Sequence, residues 1–132
     1  MNELKAGLTA TVSETVLHTN TAAALGSGLL NVYATPAMIA LMEKAAVETI
    51  APFLEKNYGS VGTKINISHE SATLPGKMVK ATAELLEVDG RRLVFKVKAE
   101  DEFGLIGQGM HERFIIDNKK FLEKLQSKNA QK

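Results

Sequence analysis

The segment from Thr35 to about Lys56 constrains the fold more than any other part of the sequence, because it predicts a long helix that is apolar on nearly all sides. Thr35 is a favourable N-cap residue, and Pro36 suits the first helical position, where its missing N–H costs nothing. Asn57-Tyr58-Gly59 would end the helix, while Pro52 predicts a kink or an earlier end. A helix that is apolar all round must be buried, so the rest of the chain has to cover it.

The sequence after this helix predicts four strands, because apolar and polar residues alternate there with period two. Asp89-Gly90 is a strong hairpin signal, and residues 101–104 form a second turn. Gly107 and Gly109 in the last strand indicate bulges or close backbone approaches. A looser alternation over residues 3–16 predicts one further strand before the helix, and a short amphipathic helix ends the chain. The four later strands begin near Val61, Val79, Leu93 and Leu105.

This order of elements predicts an α+β hotdog fold, in which a strongly curved antiparallel sheet wraps around a long buried central helix. One sheet cannot cover the helix completely, and its edge strand stays open, so we expect a homodimer. A length of 132 residues fits a single domain over residues 1–132, with residues from about 127 to 132 forming a frayed tail.

The charge balance and the residue types exclude several classes of protein. Sixteen Lys and Arg residues against fifteen Asp and Glu give a net charge of +1, without the basic surplus of a nucleic-acid-binding domain. The chain has no cysteine, which excludes disulfides and thiolate sites, and we expect a cytoplasmic location. Residues 1–5 lack the apolar region of a signal peptide, and no stretch is apolar enough to span a membrane.

A long stretch, from Thr15 to Met42, contains no Asp, Glu, Lys or Arg. It leads from the first strand through an irregular loop, with a short helix over residues 21–25, into the buried helix. Charged side chains there would have to lose their hydration against the core or a bound ligand, so the stretch predicts where a pocket lies. The first charged residue after it is Glu43.

Three residues could form a catalytic set. Glu43 is a carboxylate inside an otherwise apolar stretch of helix, although it could equally be a solvated position beside Lys44. By period two, His69 shares the helix-facing side of its strand with Val61, and it is either a core histidine bonded to a carbonyl or a base. Thr35 adds a hydroxyl at a helix N-terminus, whose free N–H groups can stabilise an oxyanion. Such a set suits ester or thioester hydrolysis.

The remaining histidines give weaker signals. His18 reads as a surface residue, and His111 and Arg113 alternate on one face of the last strand, either as a cross-strand polar face or in a structural or phosphate-binding role. The spacing of histidines and carboxylates does not match a metal site, and no glycine-rich motif has the context of a nucleotide site, so we expect no metal and no cofactor.

Several segments together resemble the fluoroacetyl-CoA-thioesterase-like group of hotdog thioesterases. The resemblance extends from about Leu4 to Phe121, and it implies a homodimeric acyl-CoA thioesterase that uses no metal and no organic cofactor. The matching segments are Thr35-Pro-Ala-Met-Ile-Ala-Leu-Met-Glu43, Val61-Gly-Thr-Lys64, Ser68-His69 and Gly109-Met-His-Glu-Arg-Phe114.

The resemblance also implies roles for individual residues. It places the catalytic Thr, Glu and His of the group at Thr35, Glu43 and His69, with Glu43 as nucleophile or general base. In hotdog dimers the cleft lies between protomers, so Thr35 and Glu43 are expected to face His69 of the other chain. The implied substrate-binding residues are Gly62, Arg113 and, in the loop over the site, Leu29, Leu30 and Tyr33.

Leu29 and Leu30 occupy positions where a fluoroacetyl-specific enzyme would carry aromatic gating residues, so the resemblance does not extend to that specificity. Two alternatives to a thioesterase stay open. The same fold could bind an acyl-CoA or another small hydrophobic ligand without turnover, or it could dehydrate or hydrate an acyl thioester.

Overall fold

A computed structural model describes residues 3–130 and shows one five-stranded antiparallel sheet packed against a long helix. The strands are β1 (Thr9–Thr15), β2 (Tyr58–His69), β3 (Met78–Asp89), β4 (Arg92–Asp101) and β5 (Gly104–Asp117); the helices are α1 (Ala22–Leu25), α2 (Thr35–Ile50) and α3 (Asn118–Ala130). The strands lie in the order β1-β3-β4-β5-β2, so β1 and β2 form the two edges. The long helix α2 contacts β1, β2, β3 and β4, which requires the sheet to wrap around it, and the predicted α+β arrangement is confirmed.

The long helix α2 begins differently from the prediction, and it ends early before Pro52, which is one of the two effects predicted for that proline. Ala34, not Thr35, is its N-cap residue, and Ala34 has no side chain that could cap the helix. Thr35 is the first helical residue, which leaves its hydroxyl free for another partner. The α-helix ends at Ile50 rather than near Lys56, because Pro52 lacks an N–H donor, and Ala51–Phe53 continue as a 3₁₀ turn.

Only one side of α2 is buried within the chain. This agrees with the expectation that one sheet cannot cover the helix completely, since Ala40, Lys44, Val47 and Glu48 are exposed. The exposed side includes the apolar side chain of Val47, so a second protein surface could cover it. The buried residues are Met38, Leu41, Met42, Ala45, Ala46, Thr49 and Ile50.

The segment before α2 contains β1, a 3₁₀ turn, the short helix α1 and a loop. The strand predicted over residues 3–16 is shorter, Thr9–Thr15, and a 3₁₀ turn follows it. The short helix predicted over residues 21–25 is confirmed as α1, which Thr21 caps by accepting a hydrogen bond from the Ala24 N–H and which Gly26 ends with a left-handed conformation. The loop over residues 26–32 then leads to α2.

A bulge in β2 changes which side chains face the helix. The pairing of β2 with β5 shifts between Gly62 and Lys64, so residues before and after the bulge face the helix with opposite parity. Val61 pairs with the half-exposed Phe114 and therefore lies on the outer face. The prediction that Val61 shares the inner face with His69 is wrong for this reason.

The glycines of β5 are sites of close approach, as predicted. A Cβ atom on Gly107 would lie 2.7 Å from the Met38 side chain of α2, and one on Gly109 would lie 2.2 Å from the Asn66 carbonyl oxygen of β2. At the other end of β5, α3 runs to Ala130, so residues 127–130 of the predicted tail form the last turn of this helix. The rest of the predicted tail, residues 131–132, lies outside the described residues. Within residues 3–130, no helix is both long and apolar enough to cross a membrane.

Candidate active site

The hydroxyl of Thr35 and the imidazole of His69 form a hydrogen-bonded pair. Thr35 is the first residue of α2 and His69 is the last residue of β2, and the fold places these two ends together. The distance between Thr35 Oγ1 and His69 Nδ1 is 2.7 Å within one chain. The expectation that Thr35 faces His69 of the other chain is therefore wrong, because its own His69 occupies its hydroxyl.

A cavity of about 220 Å³ opens beside this pair. Tyr33 contributes to its wall, but the ring is buried and its hydroxyl donates a hydrogen bond to Glu14 of β1. Burial, followed by this contact with Glu14, raises the pKa of the Tyr33 phenol, so it stays protonated and ties the end of the loop to the sheet. The lining residues are Ala22, Ser27, Val32, Tyr33, Thr35, His69, Glu70, Ser71 and Ala72.

The predicted loop contacts Leu29 and Leu30 do not line this cavity. Their side chains are 95% and 69% exposed, and the loop contributes Ser27 and Val32 to the wall instead. An exposed pair of leucines on a loop beside a cavity is unusual for a folded surface and marks a place where a ligand or another protein surface can cover them.

The protonation state of His69 suits a base. Burial lowers the pKa of the His69 imidazole, so the neutral form dominates near pH 7. The Nε2 atom of His69 is buried and has no hydrogen-bond partner among residues 3–130. A neutral imidazole paired with a hydroxyl can take a proton from that hydroxyl or pass one to a leaving group.

Glu43 of α2 belongs to a second cluster, whose other members lie on β5 and β2. Its Oε2 atom lies 3.3 Å from Nη1 of Arg113 and 3.9 Å from Nε2 of His111. Arg113 also donates to Ser60, from Nε to the hydroxyl at 2.8 Å and from Nη2 to the carbonyl at 3.0 Å. Arg113 is buried while the Glu43 side chain is 40% exposed, so the guanidinium holds a carboxylate whose free side is open to solvent.

Gly62 leaves room for the Glu43 carboxylate. Gly62 pairs with Arg113 across the β2–β5 ladder, so both face the helix. A Cβ atom at Gly62 would lie 2.6 Å from Glu43 Oε2, closer than any real contact of that kind. Any larger residue at this position would therefore displace the carboxylate from its place beside the β2 backbone.

Within one chain the two clusters are separate. Thr35 and Glu43 are eight residues apart on α2, which corresponds to about 12 Å along the helix axis. Over residues 3–130, no hydrogen bond joins Glu43 to either Thr35 or His69. Each protomer therefore presents a Thr35–His69 pair and, elsewhere, a Glu43–Arg113 pair.

Sequence reasoning missed part of the second cluster. Ser60 carried no signal, because it is a serine at an ordinary strand position. His111 and Arg113 are buried, 1% and 6% exposed, and they bond across to Lys64 and Ser60 of β2. His18 is exposed, as predicted. The described part of the chain contains no cluster of three or more His, Cys, Asp or Glu side chains that could hold a metal ion.

The sequence and the fold both match known thioesterases. Residues 16–119 match the model of the fluoroacetyl-CoA-specific thioesterase family. The fluoroacetyl-CoA thioesterase of Streptantibioticus cattleyicolor is 48% identical over 97 residues, which cover 74% of this chain and 70% of that enzyme.

Solved structures agree with this match. A fluoroacetyl-CoA thioesterase structure superposes with a TM-score of 0.91 at 39% identity, covering 96% of this chain and 98% of that chain. A thioesterase superfamily member from Thermus thermophilus superposes with a TM-score of 0.88 at 29% identity over the full length of both chains. The chain therefore belongs to the fluoroacetyl-CoA-specific thioesterase family and is a thioester hydrolase with the hotdog fold.

Proposed function

We propose that the protein hydrolyses the thioester of a small acyl-CoA to the free acid and CoA. The observation that carries the proposal is the Thr35–His69 hydrogen bond beside a cavity at the N-terminus of α2, in a chain of this family. Structures of single-residue mutants of the related enzyme have been solved in complex with acetyl-CoA and with fluoroacetate and CoA, which supports a small acyl group as the substrate.

The complete site, we propose, forms between two protomers. Glu43 of one protomer would lie beside the Thr35–His69 pair of its partner. The separation of Thr35 and Glu43 along α2 of one chain, about 12 Å, then no longer keeps the carboxylate away from a Thr–His pair. Two features of the chain support this assembly: β2 is an unpaired edge of the sheet, and the side of α2 that carries Val47 is exposed. The site would then be incomplete in a monomer.

The chemistry assigns one role to each group. The thioester carbonyl lies near the free N–H groups of the first turn of α2, which stabilise the oxyanion. Glu43 attacks the carbonyl carbon or removes a proton from the attacking water. If Glu43 removes a proton from water, the resulting hydroxide adds to the carbonyl and the carbon–sulfur bond breaks; if Glu43 attacks directly, breaking this bond leaves a mixed anhydride, which water then hydrolyses. In both routes the proton that the water loses passes through the neutral imidazole of His69 to the departing sulfur, so that the products are the free acid, which ionises in solvent, and the CoA thiol. The hydroxyl of Thr35 orients His69 and the substrate.

A panel of acyl-CoAs from acetyl to long-chain tests the proposal. We expect release of free thiol from the shorter substrates, measured with a thiol-reactive dye, and no requirement for fluorine on the acyl group, since Leu29 and Leu30 stand where aromatic gating side chains would be expected. Tight binding without thiol release would identify a ligand-binding module instead. Conversion of a 3-hydroxyacyl-CoA to its enoyl form without thiol release would identify a dehydratase.

Replacing Gly62 with alanine tests the position of the carboxylate. The new methyl group would lie 2.6 Å from Glu43 Oε2, and this atom ends a flexible side chain, so the carboxylate moves away rather than the backbone. We expect kcat to fall about 10- to 100-fold, the usual cost of a misplaced catalytic group, while the melting temperature changes by only a few degrees.

The matched control for this substitution is Gly59→Ala on the same strand, where a Cβ atom would likewise meet only the end of a flexible side chain, Oδ1 of Asn118 at 2.8 Å. A Gly62→Ala variant with the kcat of the parent enzyme would show that Glu43 does not act at the place where the structure holds it.

A further inference from the structure

Beneath the Glu43–Arg113 pair lies a buried histidine, His111, that the proposed mechanism does not use. We propose that His111 is a positioning residue, whose neutral imidazole accepts a hydrogen bond from Arg113 and so directs the guanidinium toward Glu43. The proposal rests on the proposed function, because it assumes that Glu43 acts on the thioester.

The contacts of His111 require one tautomer. Arg113 Nη1 lies 3.2 Å from His111 Nε2, and a guanidinium can only donate, so Nε2 must be the acceptor and carry no proton. The other ring nitrogen, Nδ1, lies 2.9 Å from the carbonyl oxygen of Lys64, which can only accept, so Nδ1 carries the proton. Two independent contacts therefore agree on the neutral Nδ1–H form.

The geometry of Arg113 explains why this acceptor matters. The two hydrogens of Nη1 lie in the plane of the guanidinium and point in different directions. Nη1 donates to both His111 Nε2 and Glu43 Oε2, at 3.2 and 3.3 Å. Together with the two bonds to Ser60, this occupies four of the five donors of a buried side chain. Once His111 accepts from Nη1, the guanidinium cannot turn without losing an acceptor, and the direction toward Glu43 is fixed.

The surroundings of His111 keep it neutral. The side chain is fully buried and stacks on Phe95 of β4, with ring centroids 6.1 Å apart. Burial is the main cause that lowers the pKa of His111; the charge of Arg113 acts in the same direction, while Glu43 and Glu112 and the bond to the Lys64 carbonyl oppose it. A second proton would have to sit on Nε2, opposite Nη1 of Arg113, and would break the contact.

Two substitutions of His111 separate positioning from packing. In His111→Gln the side-chain amide reaches the place of Nε2 and can still accept from Arg113, whereas in His111→Asn the amide reaches only the place of Nδ1. We expect the Asn variant to lose roughly 10- to 100-fold in kcat with little change in KM, and the Gln variant to recover most of that loss. Phe95→Leu, which removes the stacked ring but no hydrogen bond, controls for packing and should lower the melting temperature without lowering kcat.

Equal kcat values for the two variants, measured on folded dimers, would overturn the proposal. If neither variant folds, nitrogen NMR of the unmodified enzyme decides: a protonated Nδ1 with an unprotonated Nε2 supports the proposal, and a proton on Nε2 rejects it. A Glu43→Gln variant with full activity would instead refute the proposed function. Loss of activity in Glu43→Gln combined with parental activity in His111→Asn would refute the positioning role alone.

Discussion

Replacing Glu43 with glutamine is expected to lower kcat for thioester hydrolysis by about 10²- to 10⁴-fold, the range lost when a general base is removed. Glutamine keeps the size of the side chain and can still accept from Arg113, but it can neither attack a carbonyl nor take a proton from water. The measurement is the rate of thiol release under saturating acyl-CoA, with KM determined separately.

The change should leave the protein folded. The Glu43 side chain is 40% exposed, the amide oxygen of the glutamine can still accept from Arg113, and Arg113 keeps both bonds to Ser60. Glu48→Gln is the matched control, because Glu48 is an exposed carboxylate on the same helix without a partner in the site. Parental turnover in Glu43→Gln, or an equal loss in Glu48→Gln, would remove Glu43 from the mechanism.

Local sequence patterns predicted the elements well, because the alternation in the strands and the apolar run in α2 are properties of each segment by itself. The Asp89-Gly90 hairpin is an example: Gly90 adopts a φ of +61°, a conformation that glycine accepts without strain. Because one strand precedes the helix and four follow it, a curved antiparallel sheet is one of the few arrangements that can cover an apolar helix, and the structure shows that arrangement.

The sequence did not predict features that depend on contacts between distant segments. Thr35 has the residue type and the context of an N-cap, yet it is the first helical residue, and its hydroxyl bonds to His69 at the end of β2. The bulge near Gly62 places Val61 on the outer face of the sheet instead of the helix-facing side. The alternation of apolar and polar residues does not reveal where a strand has a bulge. The same bulge turns Gly62 toward the helix, where its backbone lies close to Glu43. The wrong prediction for Val61 and the position of the Glu43 carboxylate therefore have one cause.

The separation of the two clusters on α2 gives the dimer a testable role. If Glu43 of one protomer serves the Thr35–His69 pair of its partner, each of the two sites in a dimer takes one part from each chain. Mutations in different chains then combine differently from mutations in the same chain, and differently tagged protomers allow each mixed dimer to be purified.

A dimer of one Glu43→Gln chain and one His69→Gln chain is expected to regain about half of the parental activity, although both parent variants are nearly inactive, because one of its two sites then contains both intact parts. The mirror arrangement pairs an unmodified chain with a chain that carries both substitutions. In a shared site this dimer is inactive, since each site receives one altered part. If each site lay within one chain, the two results would be reversed, with the first mixed dimer inactive and the mirror dimer half active. Thiol release from the two purified dimers therefore decides whether Glu43 acts on the site of its own protomer or on that of its partner.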